Sequence, residues 1–324
     1  MSTPILEVKN LSVYYNNVKV VSNVDIKIFN GEVYAIVGES GCGKTTTANA
    51  ILRILPETAR IDSNSSIFYS KDKKMIDILK IPEKEFSQEI RWREISMVFQ
   101  GALNSLNPTI KIKDHFIETA SAHGIKDKKI VLERARKLLE SVKLDPDRVL
   151  NLYPIEMSGG MKQRTLIALA LLLNPKLVIL DEPTTALDVL IQREILLLLK
   201  ELKEKMNLTY ILITHDISLV ADIADRVGIM YAGRIVEEGN VYDIFYNPLH
   251  PYTIGLLKSV PRLNEFKENI ETIPGNPPDF RRLPHGCKFH PRCPLAMDIC
   301  RREEPPLMEF RNGHFVRCWL YAKR

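Results

Sequence analysis

Apolar and polar residues alternate over three early stretches, 6–9, 11–15 and 24–29, with the period of half-buried strands. The run EVYAIVG (32–38) is almost continuously apolar, as a strand covered on both faces requires. Between 108 and 144 the period lengthens, and VLERARKLLESV sets Val131, Ala135, Leu138 and Val142 at helical spacing. LVILDE and TYILITH are two more apolar runs, and REILLLLKELKEKM between them is helix-like. Strand, helix and strand in that order read as a crossover, so the expected fold class is α/β with a parallel sheet core. Beyond 247 prolines crowd in (Pro248, Pro251, Pro261, Pro274, Pro277, Pro278, Pro284), which predicts a linker and a loop-rich appendage.

The chain has 324 residues and a mass of 37.1 kDa, enough for one large core and a smaller addition. Its start shows no basic segment followed by an apolar one, so no secretory signal is expected. The most apolar run, LIALALLL (166–173), ends at Asn174 and Pro175, well short of the ~20 residues that cross a bilayer. A soluble, intracellular chain is therefore the expectation. The net charge is +5, yet ten Lys and Arg face only four Asp and Glu between 281 and 324. Such a tail invites nucleic acid or anionic lipid, but it lacks the interleaved aromatics of a base-stacking surface, so no nucleic acid is expected. It reads instead as a solvated face or as counter-charge to something anionic.

GESGCGKT (38–45) fits G-x4-G-K-[ST] and stands between a buried strand and the helical TTTANAILRIL. Glycines let backbone N–H groups wrap phosphates, and the helix that follows turns its positive end toward them. Lys44 suits the β and γ phosphates, and the Thr45 hydroxyl suits Mg2+. LVILDEP delivers Asp181 and Glu182 to the C-terminal end of a strand, where parallel sheets bind ligands. Asp181 then fits the magnesium shell, and Glu182 the orientation or deprotonation of a water. His215 ends another apolar strand, which makes it a candidate γ-phosphate contact.

With MSGGMKQR (157–164), VFQ ending at Gln100 and TALD ending at Asp188, these motifs resemble the full ordered set of an ATP-binding-cassette (ABC) ATPase. The resemblance implies an ABC-type P-loop NTPase with an antiparallel β subdomain and a helical subdomain, and it implies ATP and Mg2+ as cofactors. Nucleotide contacts would come from Tyr15 on the adenine, from Gly38, Ser40, Gly41, Gly43, Lys44, Thr45 and Thr46, and from Asp181 and Asp188. Thr45, Gln100 and Asp181 would share the magnesium, and Glu182, His215 and Gln100 would serve catalysis. Ser158, Gly159 and Gly160 would bind the γ-phosphate held by an opposing subunit, which suits a helix start that offers N–H groups and a hydroxyl. Met161 stands where the commonest signature has Gln.

That departure, together with QGALNSLNP (100–108) and HPYTIGLLKSVPRL (250–263), makes the chain similar to ATPase subunits of oligopeptide, dipeptide and nickel importers. Peptide is the expected cargo, with nickel or oligosaccharide as alternatives. The implied division is an ATPase domain over 1–247, with its helical subdomain at about 104–170, and an extension over 248–324. Implied partners are a second ABC ATPase subunit, often a different chain, two transmembrane permease subunits and an extracellular substrate-binding protein. Such a subunit sits peripherally at the cytoplasmic face of the membrane. The competing reading, a soluble cassette acting on ribosomes or nucleic acid, fits poorly with a single motif set and a late HPY segment.

Cys287, Cys293, Cys300 and Cys318 follow C-x5-C-x6-C-x17-C, while Cys42 lies within the phosphate loop. Four thiolates take either zinc or an iron–sulfur cluster, and both staple a segment too small to build its own core. The C-x2-4-C knuckle of zinc sites is absent. The wider spacing favours a [4Fe–4S] cluster, whose negative charge the basic tail would offset, and some relatives of the resembled type carry one. Zinc, helped by His285, His290 or His314, is the alternative.

Overall fold

The computed structural model describes residues 3–101, 105–259 and 273–322. The chain forms two compact units, one of Met1–Leu79 with Ile213–Arg324 and the other of Lys80–Leu212. Parts of two expected segments, 102–104 of QGALNSLNP and 260–263 of HPYTIGLLKSVPRL, lie outside the described residues.

The first unit opens with two 12-residue strands, Pro4–Tyr15 and Val18–Phe29, paired antiparallel. Ser66–Lys71 and Lys74–Asp77 extend this sheet, and Ala59–Ile61 pairs with the end of Pro4–Tyr15. The separate strands expected at 6–9 and 11–15 are therefore one strand. The join is made by Asn10 and Asn23, both in the left-handed region at φ 52° and 50°. Asparagine tolerates that region better than most residues, and the Asn23 amide donates to Asn10 Oδ1 at 2.6 Å across the register shift. Each break in the sequence pattern is thus a bulge within a strand.

Val33–Val37 is wholly buried and runs parallel to Arg226–Tyr231, which turns into the antiparallel Arg234–Asn240. The C-terminal extension then adds His314–Val316 to Arg234–Asn240, and Met308–Arg311 to that. Between 273 and 307 it is loops, two 3-10 turns and the one-turn helix Asp298–Arg302, in keeping with its proline content. Its end covers a sheet edge.

In the second unit Ile95–Val98 lies parallel to Leu177–Asp181, and every residue of both strands is buried. The helical stretch divides into Ile112–Ala122 and Lys128–Ser141 at Gly124, whose φ is 84°. Asp127 caps the second of these by accepting from Lys129 N and Ile130 N, and Val131, Ala135 and Leu138 are buried along it. Gly159–Ala170 and Val189–Met206 follow. The strand Thr209–Thr214 carries the chain from this unit into the first. Among the described residues no helix is long and apolar enough to cross a membrane.

One buried carboxylate ties the extension to the first unit. Glu237, fully buried in Arg234–Asn240, accepts from Leu249 N at 2.7 Å and His250 N at 2.9 Å and bonds His314 Nε2 at 2.8 Å. Beside it, His250 caps the helix Pro251–Lys258, its Nδ1 accepting from Tyr252 N at 3.0 Å, so that nitrogen carries no proton. Burial pushes the His250 pKa down to about 4, against the opposing pull of Glu237. An unfolded histidine titrates near 6.5, so the unfolded chain takes up this proton first as pH falls. The stabilisation is complete above about pH 6.5 and shrinks toward pH 4, by ~3 kcal/mol for a shift of this size. His250→Asn keeps a capping oxygen and removes the titration. Melting temperatures measured from pH 7.5 to pH 4.5 should fall less steeply for this variant than for the wild type, and parallel curves would exclude His250 as the source.

Candidate nucleotide site

The phosphate loop follows the buried strand Val33–Val37 and leads into the helix Lys44–Leu52. A Cβ on Gly38 would lie 2.1 Å from the Met230 carbonyl oxygen, so only glycine permits that approach. Gly43 needs its φ of 109° to cap the helix, where no side chain does so. The Lys44 ammonium is buried in the loop, donating to Gly38 O at 2.6 Å and Glu39 O at 3.0 Å. Cys42 is buried in the same loop, and burial raises its pKa despite Lys44, which leaves it an inert thiol.

Tyr15 and the loop residues Glu39 to Cys42 line one cavity of about 410 Å3. This is a volume suited to a small ligand. Its remaining wall includes Pro278, Phe280 and Arg281 of the extension. In the sequence Pro278 signals only a linker and Arg281 only the basic charge of the tail. His215, in the same unit, is exposed just after the strand Thr209–Thr214, and Asp216 beside it caps the next turn by accepting from Ser218 N.

In the second unit Asp181 is fully buried at the end of Leu177–Asp181. Glu182 follows with a left-handed φ of 48°, which turns its side chain off the strand line. Its Oε2 accepts from Gln100 Nε2 at 3.0 Å and from the Thr185 hydroxyl at 2.9 Å. Gln100 sits just beyond the parallel strand Ile95–Val98, so two sequence-distant candidates meet at neighbouring strand ends. Thr185 carried no sequence signal.

Ser158 caps Gly159–Ala170, its hydroxyl accepting from Met161 N at 3.3 Å. Asp188 caps Val189–Met206 by accepting from Ile191 N at 3.0 Å. The two helix starts are close, since a Cβ on Gly160 would lie 3.1 Å from Ile191 Cγ2.

Cys287, Cys293, Cys300 and Cys318 are all free thiols, with Cys300 and Cys318 buried. Burial, reinforced by the other three thiols, pushes Cys318 up to about 12. Burial likewise pushes Cys287 up to about 11, with Cys300 and Cys293 adding to it. Their mutual influence places them near one another, yet among the described residues no three His, Cys, Asp or Glu side chains are set to hold a metal ion. The zinc alternative loses His314, whose Nε2 bonds Glu237, and His290 turns its Nδ1 to the Cys287 carbonyl at 2.9 Å.

Comparison with known proteins identifies the family. The family described as ABC transporter matches residues 21–185, and the one described as Oligopeptide/dipeptide transporter, C-terminal region, matches 236–300. The dipeptide transport ATP-binding protein DppD of Caldanaerobacter subterraneus subsp. tengcongensis is 44% identical, over 98% of this chain and 98% of its own. The oligopeptide transport ATP-binding protein OppD of Escherichia coli is 45% identical, over 97% of this chain and 93% of its own. Among solved structures, cbiO1 from Clostridium perfringens, part of the ABC transporter complex cbiONQ, aligns with a TM-score of 0.64 at 29% identity, covering 76% of this chain and 92% of that one. The dimeric, post-hydrolysis ATP-binding cassette MJ0796 bound to ADP and Pi aligns with a TM-score of 0.61 at 28% identity, covering 73% and 98%. A phosphate loop that only glycines can build, acids at buried strand ends and similarity along the whole length converge: the chain belongs to the ABC transporter family, as an ATP-hydrolysing cassette of the oligopeptide and dipeptide transport type.

Proposed function

We propose that this chain powers the import of peptides across the cell membrane, as one of two cassette subunits docked at its cytoplasmic face on a pair of transmembrane permease subunits supplied by an extracellular binding protein. The carrying observation is the pair Gln100 and Glu182, joined at 3.0 Å at adjacent strand ends. In this reading Lys44 and the loop glycines hold the phosphates, Thr45, Asp181 and Gln100 serve the magnesium, and His215 meets the γ-phosphate. Mg2+ supplies charge neutralisation at the β and γ phosphates. Glu182 orients the attacking water and takes its proton, while Gln100 carries the state of that carboxylate toward the permease. Tyr15 stacks on the adenine.

Ser158, Gly159 and Gly160 then act on ATP held by the other cassette, with Asp188 beside them. Exposed apolar side chains around this patch support a covered surface: Ile155 is 80% exposed, Val189 78% and Leu190 76%. ATP present only before hydrolysis would join the two cassettes, and its loss would part them. The second cassette is taken to be a different chain, as is common in this family.

Glu182→Gln should keep ATP binding and slow hydrolysis by roughly 10^2 to 10^4, the range for a lost general base. Phosphate release from the purified transporter complex tests this, and near-normal turnover would remove Glu182 from that role.

The four tail thiols are proposed to hold a [4Fe–4S] cluster that fastens the segment 287–318. Support comes from the electrostatic influence of the thiols on one another, from the lack of disulfides among them and from Arg317, whose charge reaches Cys287. Cys287, Cys293, Cys300 and Cys318 would hold the cluster, which would join their loops through metal–thiolate bonds. Protein purified without oxygen should be brown with broad absorption near ~400 nm, and should lose it in Cys293→Ser and Cys318→Ser. Colourless anaerobic protein without iron would overturn the assignment.

A further inference from the structure

Part of the wall of the cavity that Tyr15 lines is not in the motif set. It is the segment PPDFR (277–281), which arrives from the C-terminal extension. Two prolines stiffen it at the start. Asp279 accepts from Arg281 N at 2.9 Å and so fixes the turn Phe280–Arg282. Phe280 rests on the tip of a hairpin, since a Cβ on Gly233 would lie 3.3 Å from its ring. Gly233 N in turn donates to Cys42 O at 2.8 Å, inside the phosphate loop.

The upstream end is fastened by Arg292. Its Nε donates to Pro274 O at 2.8 Å, and its guanidinium grips both carboxylate oxygens of Glu39 at 2.7 and 2.9 Å. Arg292 is only 7% exposed, so this ion pair is shielded. It also removes a conflict. Glu39 is a carboxylate within a loop built for phosphates, and Arg292 neutralises it. The segment between these two fastenings, 277–281, is thereby held along the cavity, with exposed Arg281 at its end.

We propose that the C-terminal extension completes the wall of the nucleotide pocket, with Pro278 lining it beside the adenine site of Tyr15 and Arg281 contacting the ribose and phosphates of ATP and ADP. The inference rests on the ATP reading of the phosphate loop. The extension is then a part of the ATPase site as well as a cover for the sheet edge.

Calorimetric titration of the full-length chain with MgATP and MgADP tests this. Arg281→Ala should weaken both nucleotides by roughly tenfold, the scale of one lost charge-assisted contact, and Arg281→Glu by more. Arg281→Lys should recover most of the affinity, and all three should melt with the wild type because the side chain is exposed. Arg281→Glu binding both nucleotides within about twofold of the wild type, while Lys44→Ala has lost them, would overturn the proposal and leave the ATP site standing. Unchanged binding by Lys44→Ala as well would bring down the loop reading and this inference with it.

Discussion

The carboxylate of Glu39 is the point on which the nucleotide-binding unit turns. It projects from a loop whose other features, two left-handed glycines, a buried lysine and a helix start without a side-chain cap, all favour an anion. An uncompensated acid there would repel the phosphates. Arg292 cancels it through two bonds, and Tyr252 accepts the Glu39 N–H at 2.9 Å. Both partners come from the C-terminal part of the chain. The phosphate loop is therefore completed electrostatically by a segment that lies outside the 21–185 match to the ABC transporter family.

That dependence makes the placement of the extension important, and Glu237 sets it. A buried carboxylate is costly unless several donors meet it. Glu237 meets two backbone N–H groups at the start of the helix Pro251–Lys258 and the ring of His314 on the added edge strand. Moving either element would strand the charge, so both are fixed relative to Arg234–Asn240. Tyr252 is carried by the same helix to Glu39. The link from Glu237 through His250 and Tyr252 to the phosphate loop is continuous and made of buried groups.

The sequence was most readable where chemistry and local geometry coincide. The phosphate loop, the strand-end acids and the buried strands all follow from short runs whose residues act on their own neighbours. The helix start at Ser158 is local in the same sense. The bulge in Pro4–Tyr15 was not readable, because Asn10 depends on Asn23 in another strand. Arg292 and Glu39 are 253 positions apart, and nothing in either neighbourhood signals the other. The cysteines are an intermediate case. Their spacing brought them to notice, but spacing does not determine how loops aim four thiols, and His314, expected as a possible ligand, is bound to Glu237 instead.

The SGGM signature illustrates how one residue can answer to two constraints. Gly160 lies against Ile191, and a Cβ there would meet Ile191 Cγ2 at 3.1 Å, so that side chain would have to shift by a few tenths of an ångström to admit one. The Ser158 hydroxyl and the Met161 amide are already joined as a cap. What the cap uses at position 161 is the backbone, so Met in place of the commoner Gln leaves the helix start unaltered. The departure from the usual signature is thus confined to a side chain, while the N–H groups and hydroxyl that would face a phosphate from another cassette are supplied by the residues before it. Substitution at Met161 is for that reason compatible with an intact signature, whereas substitution at Gly160 also asks the Ile191 side chain to move.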